Sequence, residues 1–107
     1  MRYFYKFLLV LTLMAPGQVN AASIVTSGKI TKVWTEWGAN SMAVTTTAPV
    51  VGNGCVHTGN YVTDPTNANN QMIQAMLLSA YMAGKNLSLV IDGCRGNDSI
   101  IISVMIE

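Results

Sequence analysis

Residues 68–91, ANNQMIQAMLLSAYMAGKNLSLVI, decide the fold. Their first part has helical spacing. Ile73, Met76, Leu77 and Ala80 fall on one face, with Tyr81 at its border, so the segment predicts a helix over 68–83. Gly84 suits the position just past a helix C-terminus, and Lys85 faces the negative end of the helix dipole. The pattern then changes period. Leu87, Leu89 and Ile91 alternate with Ser88 and Val90, which predicts a strand over 86–92.

The same rules extend outward in both directions. After a turn at 93–98, residues 99–106 form a last strand that is apolar on both sides. Upstream, Asp64, Pro65, Thr66 and Asn67 provide helix-start chemistry, and a short strand carrying His57 and Tyr61 is expected from Cys55 to Val62. Residues 49–59 read as a loop. Residues 23–37, rich in Ile, Val, Thr and Trp, read as a long strand bent at Gly28. A turn at 38–41 leads to a second strand at 42–47, forming a hairpin with the first. Strands flanking one helix predict an α+β, mainly β domain. Its sheet is expected to be antiparallel and five-stranded, open or closed into a barrel, with the helix before the last two strands.

Residues 1–21 have the pattern of a secretion signal. Arg2 and Lys6 supply positive charge, residues 7–14 an apolar run, and Val19, Asn20 and Ala21 a small-residue cleavage site. The apolar run is far short of the roughly 20 residues that span a bilayer. The expected mature form is a single domain, residues 22–107, secreted or periplasmic, with no membrane span. It carries Lys29, Lys32, Lys85 and Arg95 against Glu36, Asp64, Asp92, Asp98 and Glu107, a formal charge of −1. No basic patch is present to offset nucleic-acid phosphates. Its two cysteines, Cys55 and Cys94, are expected to form a structural disulfide, because an even cysteine count in a small exported chain reads that way.

No catalytic, metal or cofactor motif stands out, so no enzyme activity and no cofactor are expected. There is no G-x-S-x-G elbow and no C-x-x-C pair, and the lone His57 is read as a loop or strand residue. Two hints remain. Trp34, Trp37 and Tyr61 are candidates for an aromatic platform under a sugar, the competing reading being that such rings fill the core. On a regular strand Trp34 and Trp37 face opposite ways, which would leave one exposed. The second hint lies on the helix. Opposite its main apolar face stand Ala75, Leu78 and Met82, a stripe suited either to contact with another subunit or to ordinary surface scatter.

The element order, the helix MIQAMLLSAYMAGK (72–85) and the strand LSLVI (87–91) resemble a known group. These are the small secreted proteins related to the B subunits of subtilase cytotoxin and typhoid toxin. The resemblance covers about residues 24–94. It implies an oligonucleotide/oligosaccharide-binding-type (OB-type) barrel, a homo-oligomeric ring of five subunits and recognition of cell-surface glycans. This chain is shorter than the toxin subunits and has one cysteine pair where they have more. The family's sugar-binding residues do not map onto it one by one. The alternative expectation is a periplasmic protein that inhibits or accompanies an envelope enzyme, with the loop at 49–59 as its wedge.

Overall fold

The computed structural model describes residues 23–49 and 51–107; the expected signal segment, 1–21, lies outside them. Five strands and one helix follow in the order β1 (Ile24–Thr35), β2 (Met42–Thr46), β3 (Tyr61–Thr63), α1 (Asn70–Ala83), β4 (Asn86–Arg95) and β5 (Asp98–Ile106). The domain is thus mainly β, with the helix before the last two strands, as the periodicity predicts.

The sheet is mixed, which corrects the expectation of a purely antiparallel one. β3 and β5 run parallel, with Tyr61 opposite Ser99 and Thr63 opposite Ile101. The physical reason lies in the connection. A parallel pair needs a long crossover, and α1 with β4 supplies one between β3 and β5. The strand order is β1-β2-β3-β5-β4, and β4 returns to pair with β1, so the sheet closes on itself.

β1 makes that closure possible because it serves two partners. Ile24 to Lys29 pair with β4, and Ile30 to Thr35 pair with β2. The handover falls beside Gly28. A Cβ built there would lie 2.8 Å from Thr47 Oγ1 and 3.0 Å from the Ala48 nitrogen, so only glycine fits without displacing the neighbouring chain.

The core lies inside the closed sheet. Ile30, Val44, Tyr61, Leu87, Leu89, Ile91 and Ile101 point inward from the strands, and Ile73, Leu77 and Ala80 enter from α1. Leu87, Leu89 and Ile91 are fully buried, as their period-two alternation requires. The helix ends as its sequence directs. Gly84 adopts φ 65°, and the amides of Gly84 and Lys85 bond back to the carbonyls of Tyr81 and Ala80.

Several boundaries differ from the sequence reading. The helix starts at Asn70 rather than 68, because Asp64 forms a separate turn before it. Its carboxylate accepts the Thr66 amide and the Thr66 hydroxyl, both at 2.9 Å. Those two bonds hold the Asp64 carboxyl below its ordinary value. The third strand spans only Tyr61–Thr63, so Cys55 belongs to a loop. β4 and β5 run longer than their apolar alternation, to Arg95 and from Asp98. Register shifts after Val90 and Ile91 interrupt the alternation without ending the pairing.

Candidate functional site

Three connections meet at one end of the sheet: the β1–β2 turn, the loop between β2 and β3, and the β4–β5 turn. The predicted disulfide forms the first link. Cys55 in the loop is bonded to Cys94 on β4, with 5.7 Å between their Cα atoms. The Asn53 side-chain amide donates to the Gly93 carbonyl at 3.1 Å. Beyond the cysteine, the His57 amide donates to the Asn97 carbonyl at 2.7 Å. Asp98 then gathers two loop side chains. One of its carboxylate oxygens lies 3.0 Å from His57 Nδ1 and accepts the Asn60 amide at 3.3 Å.

The β1–β2 turn joins through charge. Arg95 at the end of β4 pairs with Glu36, both partly buried. The turn is closed by the Glu36 amide bonding to the Ser41 carbonyl at 3.1 Å. From the other side, the start of α1 holds it. Asn70 donates to the Asn40 carbonyl at 2.9 Å, and Gln74 donates to the Asn40 side chain at 3.1 Å. Fixed on both flanks, the turn presents Trp37 to solvent at full exposure. Trp37 is the most exposed large apolar side chain among the described residues.

The three candidate aromatics therefore separate. Trp37 stands free at the turn. Trp34 sits on β1, 36% exposed, with the Lys32 ammonium 5.0 Å from its ring centroid. Tyr61 lies in the core at 2% exposure and takes the space-filling role that large rings commonly have. The face-alternation argument for the two tryptophans does not apply, since β1 ends at Thr35 and Trp37 belongs to the turn. Ala75, Leu78 and Met82 are all exposed, with Leu78 at 45% and Met82 at 77%, and Met72 adds to their patch.

The paired His57 and Asp98 have the geometry of a base and its orienting carboxylate, and among the described residues no hydroxyl is hydrogen-bonded to the His57 ring. The adjacent Ser99 is fully buried, and its Oγ makes no hydrogen bond. Among the described residues, no cluster of His, Cys, Asp and Glu is grouped to hold a metal. The site brings together an exposed indole, polar turn groups and a pinned loop.

No family, no curated protein and no solved structure matches this chain.

The Glu36–Arg95 pair and the gathering role of Asp98 escaped the sequence reading. One signal bore on the second. If Cys55 bonds Cys94, then residues just past each cysteine become neighbours, which brings His57 toward the turn containing Asp98. Nothing comparable links Glu36 to Arg95, 59 residues apart.

Proposed function

We propose that this chain is a non-enzymatic, secreted or periplasmic binding module of the toxin-B-subunit type, recognising a glycan through Trp37 and Trp34. Three features of the sheet support an OB-type barrel: its closed strand order, the parallel β3–β5 pair and the helix between β3 and β4. In such barrels the β1–β2 and β4–β5 connections carry the ligand-binding loops. The observation that carries the reading is Trp37, fully exposed on a turn held by both Arg95 and the start of α1. A flat indole packs against the apolar face of a sugar ring, and neighbouring polar groups can engage its hydroxyls. The exposed Ala75, Leu78 and Met82 supply a surface for assembly into a homo-oligomer, a pentamer if the toxin resemblance holds.

A glycan array probed with the mature, disulfide-bonded protein tests the reading. Retention of a defined set of glycans, lost in Trp37→Ala and weakened in Trp34→Ala, supports it. Absence of any glycan signal, together with a strict monomer in native mass spectrometry, rejects it.

A second reading has its own support. The loop between β2 and β3 is fixed to β4 and β5 by a disulfide and several hydrogen bonds, as befits a wedge that enters another protein. In that reading the protein inhibits or accompanies an envelope enzyme. Recovery of one stoichiometric protein partner from periplasm favours it over glycan binding.

A further inference from the structure

Loops joining short strands commonly expose polar residues and yield to proteases at their tips. Among its described residues, the loop between β2 and β3 exposes one large apolar side chain. Val56 is 76% exposed, although it directly follows a cysteine that is buried and cross-linked. One exposed aliphatic side chain is ordinary on a protein surface; what sets Val56 apart is its place between anchors on both sides.

The anchors are disposed around one peptide bond, that between Val56 and His57. On its amino side, Cys55 is joined covalently to Cys94, and Asn53 is held by the Gly93 carbonyl. On its carboxyl side, His57 is held by its amide to Asn97 and by its ring to Asp98, and Asn60 is held by Asp98 as well. A segment braced on both sides of one exposed residue has already lost the conformational freedom that an ordinary peptide loses on entering a protease cleft.

We propose that this segment is a substrate-like inhibitory loop, with Val56 entering the primary specificity pocket of a serine endopeptidase that accepts small branched aliphatic side chains. The inference rests on the second reading above and adds the partner's class and the contact residue. The protease serine adds to the Val56 carbonyl carbon. The C–N bond to His57 breaks, and the His57 nitrogen takes a proton and leaves as an amine, giving an acyl-enzyme. In a free peptide that amine diffuses away and water completes hydrolysis. Here the acyl end remains tied through Cys55 to Cys94, and the amine end remains tied through His57 to Asn97 and Asp98. The amine therefore stays beside the acyl carbon and re-forms the peptide bond, returning the proton, and turnover stalls. Asp98 and His57 are positioning residues in this scheme, and Val56 supplies the contact.

The test is titration of pancreatic elastase, which takes small aliphatic side chains, with the native disulfide-bonded protein and a chromogenic substrate. Stoichiometric inhibition is expected. Val56→Lys should lose at least about a hundredfold in elastase inhibition, since a central anchor side chain dominates such interfaces. It should gain inhibition of trypsin in exchange. Val56 is exposed, so both proteins fold alike, and circular dichroism checks this. The double variant His57→Ala, Asp98→Asn keeps the contact residue and the His57 amide bond to Asn97, and loses the His57–Asp98 side-chain part of the amine-side brace. It should turn from inhibitor into substrate, cut between residues 56 and 57. No inhibition of elastase by the native protein at micromolar concentration overturns the inference, and so does cleavage of its loop at ordinary peptide rates. Capture of a stoichiometric periplasmic protein that is not a protease would leave the second reading standing while this inference falls.

Discussion

Removing the disulfide tests how this domain is stabilised. Cys55 and Cys94 are 39 positions apart. Closing a loop of that length removes conformational freedom from the unfolded chain worth about 4 kcal/mol at 25 °C in the chain-entropy treatment. Domains of this size have net stabilities of roughly 5–10 kcal/mol, so the link accounts for a large share. The variant Cys55→Ala, Cys94→Ser suits the two environments, since Cys55 is buried and Cys94 exposed. Its unfolding in urea, followed by tryptophan fluorescence and far-ultraviolet circular dichroism, should show a loss of about 3–5 kcal/mol, including the loop bonds that lose their brace. With a slope on the order of 1 kcal/mol per M, the midpoint falls by several molar. The slope should also rise, because an unfolded chain without the link exposes more surface. A loss under about 1 kcal/mol with an unchanged slope would refute the argument that the link constrains the unfolded chain.

Three further outcomes follow from the packing and the charges. Leu77→Ala removes a fully buried side chain where α1 meets the sheet, and should cost about 3–5 kcal/mol in the same urea measurement. Gly28→Val places a branched side chain against Thr47 and the Ala48 nitrogen. It should cost about 1–3 kcal/mol and weaken amide protection where β1 passes from β4 to β2. Asp64 has a carboxyl held below its ordinary value of 3.8 by the Thr66 amide and hydroxyl, so its stabilising contribution is present above that value. It is lost as pH falls through the lowered value, and the stability gap between wild type and Asp64→Ala should be constant near neutrality and narrow in acid.

The elements were legible where a residue period had a single structural meaning. Ile73, Leu77 and Ala80 point inward as their spacing requires, and Gly84 ends the helix in the left-handed conformation. Leu87, Leu89 and Ile91 fill the core as their alternation requires. What escaped was pairing over long distances. Tyr61 beside Ser99 in a parallel ladder leaves no local mark, since either strand could equally join an antiparallel neighbour. Tyr61 shows the same limit at the candidate site. Its type allows both a sugar platform and a core position, and only the closure of the sheet decides between them. Trp37 was open to two readings because strand alternation was extended two residues beyond Thr35, where the chain already turns.

The double duty of β1 also bears on the order in which the chain can fold. Its second half meets β2 across a short turn, a contact available as soon as both segments exist. Its first half waits for β4, with Ser27 joining Ser88 across 61 positions. Such distant contacts are slow to form, because the intervening chain must be ordered before they repay its entropy. The hairpin can therefore nucleate early, while Ile24 to Lys29 remain unpaired until the helix has turned the chain back. Those six residues act as the clasp of a necklace: they precede the elements they close upon and are fastened once β4 is in place. Trimming them would open the circle, leaving β4 without its β1 partner and the Thr47 amide without the Lys29 carbonyl it bonds.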